Sequence, residues 1–100
     1  MAKGYWIANV DVNDAEAYKH YVAANKEPLH KFGARFLTRG GQAETVEGKF
    51  RKRVVVIEFP SYQAAVDCYH SHEHNRAVAK RRGTADVDFI VIEGYDGEQP

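Results

Sequence analysis

The stretch that decides the fold is GYWIANVDV, residues 4–12, because it is apolar on both sides of the strand that it predicts. Successive side chains of a strand point to opposite faces, so Tyr5 and Ile7 share one face. The apolar side chains of the other face are Trp6, Ala8, Val10 and Val12. A sheet that is buried on one face alternates apolar and polar residues, whereas one buried on both reads as a nearly continuous apolar run. We therefore expect both faces to be covered.

Two later segments, residues 53–59 and 86–93, repeat this two-sided pattern. In the first segment Val55, Ile57 and Phe59 oppose Val54 and Val56. In the second, Val87, Phe89 and Val91 oppose Ile90 and Ile92. Glu58 falls on the face of Val54 and Val56, where a carboxylate is costly unless it is paired or reaches solvent.

The starts and ends of two helical regions are marked by capping residues. Asp14, Ser61 and Ser71 are favourable N-caps, and Gly33 and Gly83 are natural stops. The two caps in the second region predict a helix that breaks near Ser71. The element order is then β-α-β-β-α-β, which predicts an α+β, ferredoxin-like fold with a four-stranded antiparallel sheet and helices on one face.

Glycine and proline predict the irregular points of this architecture. Gly40 and Gly41, which follow Arg39, indicate a bulge or sharp bend after the second strand. Gly48–Lys49 predicts a hairpin turn between short strands at 45–47 and 50–59. Pro28 is expected to kink or loosen the last turns of the first helix.

The number of helices has a consequence for assembly. Two helical segments cover one face of the sheet, so we expect a second copy of the chain to cover the other. A two-fold pair satisfies a self-complementary apolar face. The predicted partner is therefore a homodimer mate that packs on the open sheet face, giving a barrel-like pair.

Length and composition limit the remaining choices. The 100 residues predict one domain, residues 1–100, with a core over about 3–94. The 14 basic and 14 acidic residues balance, which argues against nucleic acid or an anionic membrane as partner. No apolar run approaches the roughly 18 residues of a membrane span. Cys68 is the single cysteine and forms no intrachain disulfide, which fits a cytoplasmic protein.

Five segments, in this order and spacing, resemble a known family. They are Lys3–Ala8, Arg39–Gly41, Glu47–Gly48, Val56–Ser61 and Ile92–Gly94. Together they are similar to the domain-of-unknown-function family 1330, within the dimeric α/β-barrel superfamily. The resemblance implies a ferredoxin-like protomer whose sheet packs on that of a second protomer. The superfamily also includes small monooxygenases, isomerases and haem-handling proteins, although a shared fold is weak evidence for a shared activity. His72 stands where the family leads us to expect Pro.

The sequence His70-Ser71-His72-Glu73-His74 is a candidate metal site. His70 and His74 are four residues apart and could share a helix face. The predicted break at Ser71 and the lack of a third ligand favour exposed histidines instead. We therefore predict no metal and no cofactor.

The candidate ligand-binding residues combine charged and aromatic side chains. They are Trp6, Tyr21, Arg39, Glu58, Tyr69, His72 and Arg82. One interpretation is an ion pair between Glu58 and Arg39 or Arg82 that stabilises the fold. The other is a pocket with aromatic walls and a charged anchor, suited to a small organic acid or aromatic compound.

Two functions follow from these alternatives. The first is a small-molecule enzyme, a cofactor-independent oxygenase or isomerase by analogy with the fold, that uses a cleft between helices and sheet. The second is a non-catalytic ligand-binding or structural homodimer. A deep pocket that encloses Arg39 or Glu58 would support the first, and a filled interior the second.

Overall fold

The computed structural model describes all residues from 1 to 100 and contains four strands and four helices. In chain order they are β1 (Gly4–Val12), α1 (Ala15–Ala24), α2 (Lys26–Lys31), β2 (Arg35–Arg39), β3 (Arg53–Phe59), α3 (Tyr62–His70), α4 (His72–Arg81) and β4 (Ala85–Glu93). The strands form one antiparallel sheet in the order β2-β3-β1-β4. The predicted α+β, ferredoxin-like fold is confirmed.

The helix starts follow the predicted caps. The side chain of Asp14 accepts a hydrogen bond from the backbone of Ala17, and Ser61 accepts one from Ala64. Ser71 accepts from the backbone N–H of His74 and donates to the carbonyl of Cys68 at 2.7 Å. One serine thus ends α3 and begins α4, which confirms the predicted break.

The first helical region is also divided, at Asn25. Pro28 is the third residue of α2, where a missing N–H removes no bond within the helix. Pro28 therefore lies in the first turn of a new helix and does not kink a continuous one.

The main core lies between the helices and one face of the sheet. Trp6 is at its centre and donates from its indole N–H to the carbonyl of Ala65 at 2.8 Å. Its ring packs against Phe59 and Phe89, with centroids 4.9 and 5.1 Å away. The predicted alternation is confirmed, since Trp6, Ala8 and Val10 are buried on this face.

The predicted hairpin at Gly48–Lys49 is wrong, because residues 40–52 contain no helix or strand. Polar side chains of β1 bind the end of this loop. Asn9 accepts from the backbone N–H of Arg51 at 2.7 Å, and Asp11 accepts from that of Lys52 at 3.0 Å. These bonds engage the backbone just ahead of β3, which begins at Arg53.

The second face of the sheet is not covered by any helix. Ile7, Ile90 and Ile92 on this open face are 36%, 53% and 44% exposed, and Val54 and Val56 lie beside them. The predicted two-sided strands are therefore present, with one side left open in the single chain. None of the helices combines the length and apolar character needed to cross a lipid bilayer.

Candidate functional site

A cavity of about 260 Å³ lies between α1 and α2 and the helix-facing side of the sheet. Apolar and aromatic residues make up 12 of its 18 lining residues, so most of its wall is hydrophobic. The five Phe, Tyr and Trp rings of the wall are those of Trp6, Tyr18, Tyr21, Phe36 and Phe89. Such a wall suits a flat, apolar ligand body.

A β-bulge places a charge at this cavity. Phe36 pairs with Ile57 and Thr38 with Val56, so Leu37 has no partner on β3. The extra residue reverses the alternation and brings Arg39 to the same face as Phe36. The Arg39 guanidinium lies 4.1 Å from the centre of the Phe36 ring. Both side chains line the cavity.

A second arginine reaches the cavity from the first residue of β3. Arg53 pairs with Val10, so its side chain follows the helix-facing side of the sheet. Its Nε atom is buried and has no hydrogen-bond partner. Gly40, with a φ of 70°, lies against this side chain, and a Cβ there would overlap the guanidinium. Because Gly40 has no side chain, the Arg53 guanidinium can occupy the space beside it.

The charges of the cavity wall have one sign. Its cationic side chains are Lys26, Arg39, Arg53 and Arg81, and no aspartate or glutamate lines it. The arginines that form ion pairs in this protein are Arg35 and Arg51, which lie elsewhere. Three arginines thus meet at an apolar cavity without a carboxylate partner.

A chain of hydrogen bonds connects the cavity wall to the core. His74 Nδ1 lies 2.9 Å from Asn25 Oδ1, and Asn25 Nδ2 donates to the Tyr21 hydroxyl at 3.4 Å. Arg81, from the last turn of α4, donates to the same hydroxyl at 3.3 Å. Tyr21 and Asn25 are one helical turn apart and both line the cavity. The chain fixes the position of the Tyr21 ring.

Burial controls the charge of these groups. It raises the pKa of Tyr21 to about 12 against the opposing charge of Arg81, and it also raises the pKa of Tyr18. Burial, aided by the positive charge of Arg81, lowers the pKa of His74 to about 4. At neutral pH the phenol and the imidazole are therefore uncharged, and the arginines and Lys26 supply the positive charge of the site.

The seven candidate residues do not lie together. Trp6, Tyr21 and Arg39 line the cavity. Tyr69 packs edge-on against Trp6 at 6.0 Å but does not line the cavity. His72 and Arg82, at the two ends of α4, are exposed and also lie outside the lining.

The expected pairing of Glu58 with Arg39 or Arg82 is wrong. Glu58 lies on the open face, where its partners are Arg35 at 3.6 Å and the Tyr5 hydroxyl at 3.2 Å. The antiparallel register sets Arg35 opposite Glu58, and the bulge turns Arg39 to the other side of the sheet. A carboxylate near the strand end is thus paired, but the sheet separates it from the cavity.

The sequence-based candidates do not include six polar residues of the cavity. They are Tyr18, Asn25, Lys26, His30, Arg53 and Arg81. The position of Arg53 on the face of Val55 and Ile57 was a usable signal, since a charge on that face points toward the helices. Arg81 carried no such signal because a basic residue in a last helical turn is already explained by the helix dipole.

The thiol of Cys68 and the imidazole of His74 are buried and do not line the cavity. Cys68 is buried, and burial raises the pKa of its thiol to about 12. His74 is fully buried among Trp6, Tyr69 and Phe89. No group of three or more His, Cys, Asp or Glu side chains lies close enough together to hold a metal ion.

The sequence matches the family model described as "Domain of unknown function (DUF1330)" over residues 3–95. The chain belongs to this family. The resemblance inferred from the five segments is therefore confirmed. No curated protein matches the sequence.

Three solved structures illustrate the fold. A protein of unknown function from Rhodopseudomonas palustris is 18% identical, with a TM-score of 0.75, over 96% of this chain and 85% of that one. SnoaB, a cofactor-independent oxygenase from Streptomyces nogalater, is 8% identical, with a TM-score of 0.62, over 100% and 97%. A dimeric ferredoxin-like protein of unknown function from Thermobifida fusca is 12% identical, with a TM-score of 0.57, over 92% and 89%. At these identities the likeness establishes the fold alone.

Proposed function

We propose that the cavity between the helices and the sheet binds a small aromatic acid. The observation that carries this proposal is the set of three arginines, Arg39, Arg53 and Arg81, that line an apolar cavity without a carboxylate. Arg53 and Arg81 are half-buried and Arg39 is exposed, so the argument rests mainly on Arg53, whose buried Nε has no partner. A guanidinium partly withdrawn from water is costly unless an anion is paired with it. A carboxylate on the ligand would supply that anion.

The rest of the wall supports an aromatic body for this ligand. Trp6, Tyr18 and Phe89 offer ring surfaces, and the volume of about 260 Å³ is below the roughly 300–1,000 Å³ of sites for drug-sized ligands. A single-ring acid is the matching size class. Bidentate hydrogen bonds from an arginine would hold the carboxylate, and the rings would cover the body.

The proposal is tested by titration calorimetry with benzoate as the probe and uncharged benzamide as its matched control ligand. We expect benzoate to bind and benzamide to bind at least tenfold more weakly. Arg53→Gln should weaken benzoate binding by a similar factor. Arg35→Gln, which removes an arginine of the open face, should leave it unchanged. Equal affinity for benzoate and benzamide would contradict the proposal. So would an equal loss of benzoate affinity in Arg53→Gln and Arg35→Gln.

A cofactor-independent oxygenase is the second candidate function, supported by the fold shared with SnoaB. A non-catalytic ligand-binding protein is its alternative. Dissolved oxygen measured while the protein is mixed with a dihydroxybenzoate separates them. Oxygen consumption that Arg53→Gln reduces would favour the oxygenase, and binding without consumption would favour the non-catalytic protein.

We further propose that the protein is a homodimer, joined through the open face of the sheet. Ile7, Ile90 and Ile92 form an exposed apolar patch there, and Tyr5 and Val56 extend it. Contiguous apolar surface of this kind is typical of interaction sites. The dimeric protein from Thermobifida fusca has the same fold. The single cysteine, Cys68, supports a cytoplasmic location for this dimer.

A further inference from the structure

The hydroxyl of Tyr21 has an unusual place in the cavity, because every hydrogen bond that it makes within the chain is one that it accepts. Asn25 Nδ2 donates to it at 3.4 Å, and Arg81 Nη1 donates to it at 3.3 Å. The tyrosine is only 7% exposed and lines the cavity. A phenol has one proton to donate in addition to the bonds that it accepts. That proton has no acceptor in the protein.

The direction of the hydrogen bonds is set by His74. If Nδ1 carries the imidazole proton, it donates to Asn25 Oδ1, and the Asn25 amide group must then face Tyr21. If Nε2 carried it, a buried N–H would have no acceptor, because nothing in the chain bonds to that atom. An unpaired buried donor costs about 1–3 kcal/mol, which favours the Nδ1–H form. His74 therefore orients Asn25 as a donor to Tyr21.

Resting on the proposed function, we propose that Tyr21 is a specificity-determining hydrogen-bond donor that directs its proton at an uncharged oxygen of the bound aromatic acid. The ligand class is then an aromatic acid with a second oxygen, such as a ketone carbonyl. Asn25 and Arg81 occupy the lone pairs of the hydroxyl, so the proton is turned to the cavity. His74 acts only through Asn25 and is a positioning residue.

Burial keeps Tyr21 in the form that this role needs. Because its pKa is raised to about 12, the phenol retains its proton at every physiological pH. The group is therefore a donor and not a base. A ligand without an acceptor oxygen would leave the donor unpaired in an apolar cavity, and such sites discriminate strongly against analogues that lack the matching group.

The experiment compares two series of probes by calorimetry, the three acetylbenzoates and the isopropylbenzoates of matching shape. We expect one acetyl isomer to bind the wild type about 3- to 10-fold more tightly than its isopropyl counterpart. Tyr21→Phe should reduce this ratio to about 1. Tyr18→Phe is the matched control, because Tyr18 lines the same cavity outside the hydrogen-bonded chain, and it should keep the ratio.

A second variant separates the direction of the proton from the presence of the hydroxyl. In Asn25→Asp, the carboxylate accepts from both His74 and Tyr21, so the Tyr21 proton turns away from the ligand. The acetyl preference should then disappear although the phenol remains. Because the preference is a ratio between two acids of equal charge, it is not changed by the repulsion that the new carboxylate adds.

Two results would overturn this inference without affecting the proposed function. One is a wild type that binds benzoate through Arg53 but has no preference for any acetyl isomer, or a preference that survives Tyr21→Phe. The other is an Nε2–H tautomer of His74 in ¹H–¹⁵N correlation spectra, assigned by its loss in His74→Gln. Failure of all benzoates to bind would instead contradict the proposed function and this inference with it.

Discussion

The backbone of Gly40 lies directly against the guanidinium group of Arg53, with no room between them for a methyl group. The glycine also has a φ of 70°, a conformation that other residues adopt only with strain. Position 40, in the loop that follows β2, therefore favours glycine for two independent reasons, the lack of room for a Cβ beside Arg53 and the positive φ. They can be separated by experiment, because Gly48 has a similar φ of 75° and nothing within 4 Å of the site of a Cβ.

Gly40→Ala is expected to weaken benzoate binding, since the new methyl group displaces Arg53 from the cavity wall. The conformational strain should also lower the free energy of unfolding by about 1–2 kcal/mol. Gly48→Ala should cost a similar free energy and leave benzoate binding unchanged. Calorimetric titration and urea denaturation of both variants measure the two effects. Equal benzoate affinity in both variants would exclude a role of Gly40 in placing Arg53.

Glu58→Gln is expected to lower stability slightly and to leave ligand binding intact. Its partner Arg35 is 73% exposed at the side chain, so the lost ion pair contributes only about 0–1 kcal/mol after screening by solvent. Thermal melts with and without benzoate measure this. The stabilisation by benzoate should be the same in the variant as in the wild type. A smaller increase in melting temperature on adding benzoate to the variant would mean that Glu58 affects the cavity across the sheet.

Acid is expected to destabilise the protein through His74 well before its carboxylates titrate. The pKa of this histidine is about 4 in the folded protein and near 6.5 in the unfolded chain, so the unfolded chain binds the proton first as the pH falls. The contribution of neutral His74 is complete above about pH 6.5 and is lost progressively toward pH 4. The free energy of unfolding should fall by about 2 kcal/mol between pH 7 and pH 5.

Urea denaturation at several pH values measures this loss. His74→Gln removes the titrating group and should flatten the dependence between pH 7 and pH 5. His20→Gln is the matched control, because His20 is exposed on α1, and it should keep the wild-type slope. A slope that survives in His74→Gln would assign the effect to another group.

Ile90→Arg is expected to convert the proposed dimer into a monomer. The side chain is 53% exposed on the open face, so the substitution places a charge in the interface without disturbing the folded chain. Tyr62→Arg is the control, since Tyr62 is 41% exposed in the helical layer. Sedimentation equilibrium at micromolar concentration should give a dimer for the wild type and for Tyr62→Arg. A stable wild-type monomer would refute the assembly.

The architecture could be predicted because its signals are local and periodic. The alternation in residues 4–12 and 53–59 gives the strand faces, and the hydroxyls of Ser61 and Ser71 give the helix starts. Each of these features acts within a few residues, so one sequence is enough to read it. The loop at residues 40–52 has no such local signal, because the hydrogen bonds that hold its end come from Asn9 and Asp11, which are distant in sequence.

The cavity could be predicted only in part. Trp6, Tyr21 and Arg39 were found as aromatic or charged residues on predicted elements. The pairing of Glu58 with Arg39 or Arg82 is wrong, since its partner is Arg35, and the bulge at Leu37 that turns Arg39 to the cavity side has no periodic signal in the sequence. Contacts such as that between Arg81 and Tyr21 join residues from two helices, and no periodicity within either helix encodes them.

The unpaired position of Leu37 has a consequence for comparing members of this family. The face on which Arg39 emerges depends on the number of residues before it and not on the Arg-Gly-Gly segment itself. A relative that retained the segment but had one residue fewer in this strand would present the same arginine to the opposite surface. An alignment that matches the segment and ignores the strand length would assign a binding residue to such a protein where its cavity has none. Chain length at this edge strand is therefore as informative about ligand binding as the identity of any residue.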